Sequence, residues 1–440
     1  MDETLSRKSD VGDATEQQGE RQRRDVTYDA LILDAKLRQS LVTVRSLGQH
    51  GKRVAALATE DNLVYSDQVP IFSSRWCQQS YIAPSYKNGT QPYLHYLLQL
   101  VRSTGIGVLI PSADGTVELL RAHRQELEQW GSRVALTKEA ALATAVNKEQ
   151  TLQVAKHLGL NVPHGVLVRT VDEIAEALRE VGLPAVIKPV SSWRWGEQEG
   201  VRLISRLVTS LDEARQVAET ISVVGSTMLV QQFLRGRREA VSFLYANGEF
   251  YARFAQWAKR THPQLGGTSV YRQSIAVPRD LGEPAERLVQ ELDLEGYSEV
   301  EFRRDSAGRP YLMEINPRLS ASVELAVRAG VDFPYMLYRW AAGERIERVQ
   351  GYRVGEWMRY LEGDLLALVE SFRQHGRPGI QPPAQALWEF VSTFFLPTGY
   401  DYMDKHDPLP AWTAFREFAD HVWYHKKNFW SAATKIKSTQ

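Results

Sequence analysis

Cysteine is nearly absent. Cys77 is the single cysteine in 440 residues, which excludes an internal disulfide framework and a four-cysteine zinc site. A lone free cysteine is more often a small buried apolar residue than a nucleophile. Long apolar runs are also missing: no stretch of about 18 apolar residues offers a membrane span, and the first residues lack the apolar core of a signal peptide. Net charge is missing too. Lys plus Arg and Asp plus Glu number 53 each, so nothing advertises nucleic acid or a membrane surface. What remains is 43% hydrophobic and 24% charged, as expected of a soluble, cytoplasmic protein. Its length suits two or three domains of roughly 100–200 residues each.

Residues 1–26, "MDETLSRKSDVGDATEQQGERQRRDV", hold almost no large apolar side chain and are expected to be a disordered tail. From Tyr28 the pattern changes. Ala30–Leu33 reads as a buried strand, Leu41 to Leu47 as a helix, Gly48–Gly51 as a turn and Val54–Ala58 as a second strand. The scheme repeats in "GVLIPSADGTVELLRAHRQELEQW", with Ser112 and Asp114 in the loop after Val108–Ile110. This order predicts a small parallel-sheet α/β domain over 27–140. Its first turn, "DAKLRQS", has no glycine, which argues against a dinucleotide fingerprint. Ligands of open α/β sheets bind at such strand ends, so Asp114 is a site candidate. Capping the following helix is an equally good structural role for it.

Over 141–345 an α+β pattern takes over. Asn147 stands to cap or interrupt a helical stretch, and the short strand Ala185–Ile187 ends in Lys188-Pro189. "MLVQQFLRGRREAVSFLYANGEFYARFAQ" reads as a strand, a turn and a hairpin turning at Asn247-Gly248. A second hairpin turns at Asp305–Gly308. From 346 the chain is aromatic-rich, with Trp357, Trp388, Trp412, Trp423 and Trp430. Its short amphipathic stretches predict a mostly helical extension over 346–440, packed on the preceding domain or resting on a membrane interface.

The second hairpin carries the chemistry. Glu299 and Glu301 leave one strand on the same side, and Glu314 and Asn316 leave its partner likewise. A turn centred on Ser306-Ala307 sets Glu301 opposite residue 312 or 313, a near or diagonal neighbour of Glu314. Facing carboxylates repel, and a hard divalent cation bound by one or two carboxylates plus substrate phosphates would compensate them. Arg318 adds a fixed positive charge suited to a phosphate or a developing oxyanion. Lys148 and Lys188 could neutralise nucleotide phosphates as point charges. "VQQFLRGRREAV" offers a strand end whose backbone could hydrogen-bond a base, and Glu239 could accept from ribose hydroxyls.

In their order, Lys148, "AVIKP", "VQQFLRGRREAV", "EVEF" and "LMEINPR" resemble the ATP-grasp superfamily over residues 27–345. The closing "EINPRLSASVELAVRAGVDFP" looks most like its carboxylate–amine ligase and carbamoyl-phosphate-synthase-like branches. The resemblance implies two α+β subdomains clamping ATP, preceded by a small α/β domain. It implies Lys148 and Lys188 on the phosphates, Gln231, Gln232, Phe233 and Leu234 at the adenine, and Glu239 on the ribose. Glu301, Glu314 and Asn316 would hold two Mg²⁺ ions, with Mn²⁺ as a substitute, and Arg318 would stabilise the transferred phosphoryl group. The implied reaction phosphorylates a small-molecule carboxylate and joins it to an amine. Partners would be these substrates, with a homodimer compatible and no nucleic acid.

One stretch departs from the family. Where it usually has a glycine-rich loop, this chain has "VSSWRWGEQEGVRLI", with only Gly196 and Gly200 and two tryptophans. Ser191 and Ser192 would donate to phosphate there, and Arg194 would neutralise it. "KRTHPQLGGTSVYRQSI" supplies Gly266-Gly267, flanked by Lys259, Arg260 and Arg272, as an expected acyl-phosphate or acceptor loop; a plain hairpin loop is the alternative. Two other readings stand beside the ligase: an ATP-dependent carboxylase or carbamoyl-phosphate former using bicarbonate, and an ATP-binding scaffold with weak turnover.

Overall fold

The computed structural model describes residues 27–63, 68–195, 200–264 and 266–422. The tail expected over 1–26, Gly196, Trp423 and Trp430 lie outside the described residues. Strands β1 (Ala30–Ile32), β2 (Val54–Thr59), β3 (Gln79–Ala83), β4 (Val108–Ile110) and β5 (Arg133–Val134) form an all-parallel sheet in the order β3-β2-β1-β4-β5. Its central strands are continuous apolar runs with no exposed side chain, as a sheet covered on both faces requires.

Next come β6 (Gly165–Val168), β7 (Ala185–Pro189), β8 (Trp193–Trp195), β9 (Gly200–Arg202), β10 (Arg206–Val208) and β11 (Met228–Gln232). Four of them make an antiparallel sheet, β10-β7-β11-β6, while β8 and β9 pair only with each other. The third sheet holds β12 (Arg238–Ala246), β13 (Glu249–His262), β14 (Thr268–Ile275), β15 (Gly296–Arg304), β16 (Pro310–Asn316), β17 (Trp357–Arg359) and β18 (Gly399–Tyr400), in the order β16-β15-β12-β13-β14-β17-β18. The predicted Asn247-Gly248 turn joins β12 to β13, with φ of 51° and 78° at its two residues. That is the backbone twist a two-residue hairpin needs.

Two local expectations change. The first helix runs Arg38–Gln49 and takes in Gly48, because Gly48 serves close approach rather than a turn: a Cβ there would lie 2.6 Å from Trp76 Cβ. The segment after 346 is helical over Leu361–Arg373 and Pro383–Ser392, yet it also adds β17 and β18 to the edge of the large sheet. That edge pairing is long-range, and neither short strand has a periodic signature of its own.

The parallel sheet and the large sheet share one core. Ile32, Leu47 and Ile110 meet Leu244, Phe254 and Met358 through Leu325 and Phe333, on the helices Val323–Ala329 and Phe333–Ala342. Buried charge reinforces the join. Asp401 accepts from Arg272 Nη2 at 2.5 Å and from Arg38 Nη1, with all three side chains buried. Burial works against its charge, yet Arg272 and Arg38 hold the Asp401 carboxyl below its ordinary value. Asp407 likewise takes Arg45 Nε at 2.9 Å. Removing one partner of a buried pair strands the other charge. Asp401→Ala should therefore cost about 3–5 kcal/mol of stability in denaturant titrations; an unchanged midpoint would show that these pairs hold nothing together.

Candidate active site

The second hairpin delivers the carboxylates. Glu301 stands directly opposite Glu314, and Glu299 opposite Asn316. The predicted register is one residue off because of a bulge: Phe302 pairs with Leu312, so Met313 is the extra residue. Asn316 Nδ2 donates to Glu301 Oε1 at 3.2 Å. Arg238 on β12 donates to Glu301 Oε2 from Nε at 3.0 Å and from Nη2 at 2.5 Å. Glu299 Oε2 accepts from Gln256 Nε2 at 2.9 Å and Ser242 Oγ at 3.3 Å.

Cations close the ring. Asn147 caps the helix Lys148–His157 by accepting from the Gln150 N–H at 3.1 Å, which leaves Lys148 at the first helical position. A cation there opposes the helix dipole and adds to the positive potential of the N-terminus, so the spot favours an anion. Lys148 Nζ donates to Ser192 Oγ at 2.8 Å and stands 3.6 Å from Glu314 Oε2. Arg318 Nε donates to Asp114 Oδ1 at 2.5 Å. Asp114 is the first residue of the helix Asp114–Ala122 and Ala113 its N-cap, so Asp114 holds Arg318 rather than capping. Asp34, at a φ of 56° just past β1, anchors that loop by accepting from the Ser112 and Ala113 N–H groups, each at 2.9 Å.

These groups line a cavity of about 900 Å³ between the three sheets, whose wall includes Asp114, Lys148, Ser192, Glu301, Glu314 and Arg318. Its electrostatics are strained in a consistent way. Burial pushes the Glu301 carboxyl up to about 7, and its neighbours Glu314 and Glu299 add to this. Burial also acts on Glu314, but Lys148, Lys188 and Arg238 hold it below the ordinary carboxylate range. Burial pushes the Lys188 ammonium down to about 8. Among the described residues no group of three or more His, Cys, Asp or Glu side chains could hold a metal alone. Two opposed carboxylates with one amide do fit a Mg²⁺ ion that takes its remaining ligands from phosphates. The residues for it are Glu301, Glu314 and Asn316.

Several predicted residues lie elsewhere. Glu239 is on the opposite face of the large sheet, paired with Arg304 Nε at 2.5 Å and Arg237 Nε at 3.2 Å. Side chains alternate, and it is Arg238, one residue before, that faces Glu301. Arg272 is fully buried on Asp401, out of reach of any acceptor. Lys259 lines a second cavity of about 410 Å³ with Phe233, Arg235, Trp257 and Arg303, and pairs with Glu389 at 3.6 Å. Gln231 is buried within β11, the Gln232 N–H is taken by His164 O at 2.9 Å, and the Leu234 carbonyl accepts from Arg303 Nη1 at 2.9 Å. Ser191 lies in a small recess beside Glu314. Gly266 and Gly267 do line the large cavity, while their neighbour Arg260 is spent on Asp364 at 2.6 Å. Arg238, which no local pattern singles out, lines both cavities.

The glycine-poor loop is an aromatic hairpin. Trp193 is buried in the core of the parallel-sheet layer with Leu33 and Tyr93, its ring 5.6 Å from Tyr86 and 5.3 Å from Trp195. Gly200 gives room for indoles rather than phosphate: a Cβ there would lie 2.3 Å from Trp193 Cζ2.

Comparison with known proteins bears on the fold. Residues 225–362 match the family model described as "ATP-grasp in the biosynthetic pathway with Ter operon". The chain has the ATP-grasp fold. A carbamoyl phosphate synthase large chain from Xylella fastidiosa is 26% identical over 255 residues, 55% of this chain and 23% of that protein. The chain thus spans about a quarter of the length of such curated relatives. Among solved structures, biotin carboxylase from Campylobacter jejuni superposes with a TM-score of 0.58 at 14% identity, covering 75% of this chain and 74% of that one. L-amino acid ligase from Bacillus licheniformis gives 0.58 at 13% identity, covering 76% and 79%.

Lys188 links this site to stability. A lysine whose folded value is depressed contributes stability above its ordinary 10.5, and loses it as the pH falls through about 8. Lys188→Met should therefore remove the rise in stability that the parent gains from this group between about pH 8 and 10.5. Melting curves across that range test this, and a Met variant that kept the parent's pH dependence would contradict it.

Proposed function

We propose that this ATP-grasp chain is an ATP-dependent carboxylate–amine ligase. The observation that carries the reading is the Glu301–Glu314 pair with Asn316, ringed by Lys148, Arg238 and Arg318 on one cavity wall, with the buried Lys188 ammonium behind them acting on Glu314. Such a set neutralises and orients a polyphosphate beside a second anion; it includes no serine or cysteine nucleophile and needs none. Lys148 and Lys188 bind the phosphates as point charges, and the strand end Gln231–Leu234 with Phe233 and Arg303 at the smaller cavity holds the base. Mg²⁺ held by Glu301, Glu314 and Asn316 would supply charge neutralisation at the phosphates.

The chemistry balances simply. A substrate carboxylate oxygen attacks the γ-phosphorus and ADP leaves with the bridging oxygen. Arg318, kept charged and oriented by Asp114, bears on the charge developing on the transferred group. An amine lone pair then attacks the acyl carbon, phosphate departs with the C–O electron pair, and the surplus proton leaves the nitrogen. Exclusion of water by the surrounding layers protects the acyl phosphate from hydrolysis.

A second reading uses bicarbonate as the carboxylate, and the likeness to biotin carboxylase and carbamoyl phosphate synthase favours it. The cavity of about 900 Å³ is at the upper end of small-molecule sites and has room for a far larger acid beside a nucleotide. An ADP-release screen against bicarbonate, pooled carboxylic acids and pooled amino acids, with mass spectrometry of the product, separates the two. ADP release driven by bicarbonate alone would favour the carboxylase; binding of ATP with no release under any condition would indicate a scaffold.

Two substitutions probe the roles. Glu314→Ala should abolish Mg²⁺-dependent ADP release while leaving the fold intact by circular dichroism; full turnover would remove the cation site. Arg318→Ala should lower kcat by about 100-fold or more with little change in ATP affinity. An unchanged rate would strip Arg318 of its part in phosphoryl transfer.

A further inference from the structure

The helix Leu361–Arg373 is turned inside out. Its buried positions are Gly363, Asp364, Ala367, Glu370 and Ser371, while Leu361, Leu365, Leu366, Val369 and Phe372 are exposed. Polar residues thus occupy the inner stripe and apolar ones the outer, the reverse of a helix facing water. The inner stripe is satisfied within the chain: Asp364 holds Arg260, and Glu370 Oε2 accepts from the Gln264 N–H at 2.9 Å. The helix Pro383–Ser392 packs beside it and repeats the pattern, with only Ala386 buried and Leu387, Trp388 and Val391 exposed. Phe394, Phe395 and Leu396 follow, also exposed. Both helices turn their inner residues, Asp364, Ala367, Ala386 and Glu389, to the smaller cavity, so both apolar faces point away from it.

We propose that this face, built by residues 361–396, is the interface of a two-fold symmetric dimer of this chain. Its size fits. Trp388 is 71% and Phe395 85% exposed, and the eleven apolar side chains together present on the order of 1,000 Å², against ~800 Å² per partner in a standard interface. Its charge fits as well. Residues 361–396 contain no lysine, and their two arginines face four acidic residues. An interfacial membrane helix carries Lys and Arg on its polar face, whereas here the polar face is inward and acidic. A two-fold axis through this face brings the same apolar stripes of both copies together, as an isologous contact demands. Trp388 and Phe395 supply the large aromatic anchors that dominate such contacts. The interface then backs directly onto the wall that gives Glu370, Gln374 and Arg377 to the large cavity.

Sedimentation velocity of the full chain at micromolar concentration tests this without reference to catalysis. The expected result is twice the chain mass for the parent. The double variant Trp388→Glu/Phe395→Glu should be a monomer with an unchanged circular dichroism spectrum and a dissociation constant raised by ~100-fold or more. Phe372→Ser alone should weaken association in the same direction. A monomeric parent would overturn the proposal, as would a parent dimer that both variants leave intact. A monomeric parent that pelleted with phosphatidylcholine–phosphatidylserine vesicles would replace the second copy with a lipid surface. An inactive but dimeric parent would uphold the interface and count only against the ligase reading.

Discussion

Two carboxylates that face each other across a buried hairpin cannot stand alone. Glu301 and Glu314 occupy directly opposed positions on β15 and β16, and like charges so placed repel. Everything around the cavity answers that constraint. Arg238 arrives from β12, Lys148 from a helix N-terminus, Lys188 from β7, and Arg318 from the loop past β16, each on a different segment. Burial works against both charges, raising the Glu301 carboxyl to about 7 and lowering the Lys188 ammonium to about 8. A buried, mutually compensated set is suited to exchange one anion for another, because an incoming phosphate meets charges that are already oriented.

The legible part of this site was the part written in strand parity. Glu299, Glu301, Glu314 and Asn316 follow a two-residue period, and Asn247-Gly248 marks the turn of the neighbouring hairpin β12–β13 by residue type alone. The bulge at Met313 was not legible, since nothing in "YLMEIN" distinguishes a regular strand from one carrying an extra residue. Glu239 and Arg238 show the limit of parity: both are plausible ligands by chemistry, and only the pairing of β12 with β15 decides which faces the site. Arg272 was misread for another reason. Its partner Asp401 lies 129 residues away, and a buried ion pair leaves no local trace of its other half. The parallel strands β1, β2 and β4 followed from apolar runs, whereas the strand order, the core shared with the large sheet and the two short edge strands β17 and β18 did not.

The hairpin β8–β9 marks where this chain parts from a bare-backbone phosphate loop. Two indoles and Tyr86 form an aromatic cluster that fastens the hairpin to the parallel-sheet layer. Packing of this kind gives shape and dryness where glycine would give mobility. It sets Ser192 at the Lys148 ammonium and Arg202, paired in register with Trp193, on the cavity wall. The hairpin thereby joins the aromatic cluster to the Lys148 side of the carboxylate pair.

Asp401 and Asp407 have a meaning for how the molecule divides. Between them they neutralise Arg38, Arg45 and Arg272, three guanidinium groups buried on the helix Arg38–Gln49 and on β14. A chain shortened to end near residue 345 would keep Glu301, Glu314, Lys148 and Lys188, yet it would leave those buried guanidinium groups with no counter-charge. The aromatic-rich extension thus supplies the counter-charges of three buried arginines, two on the helix of the N-terminal layer and one on the large sheet.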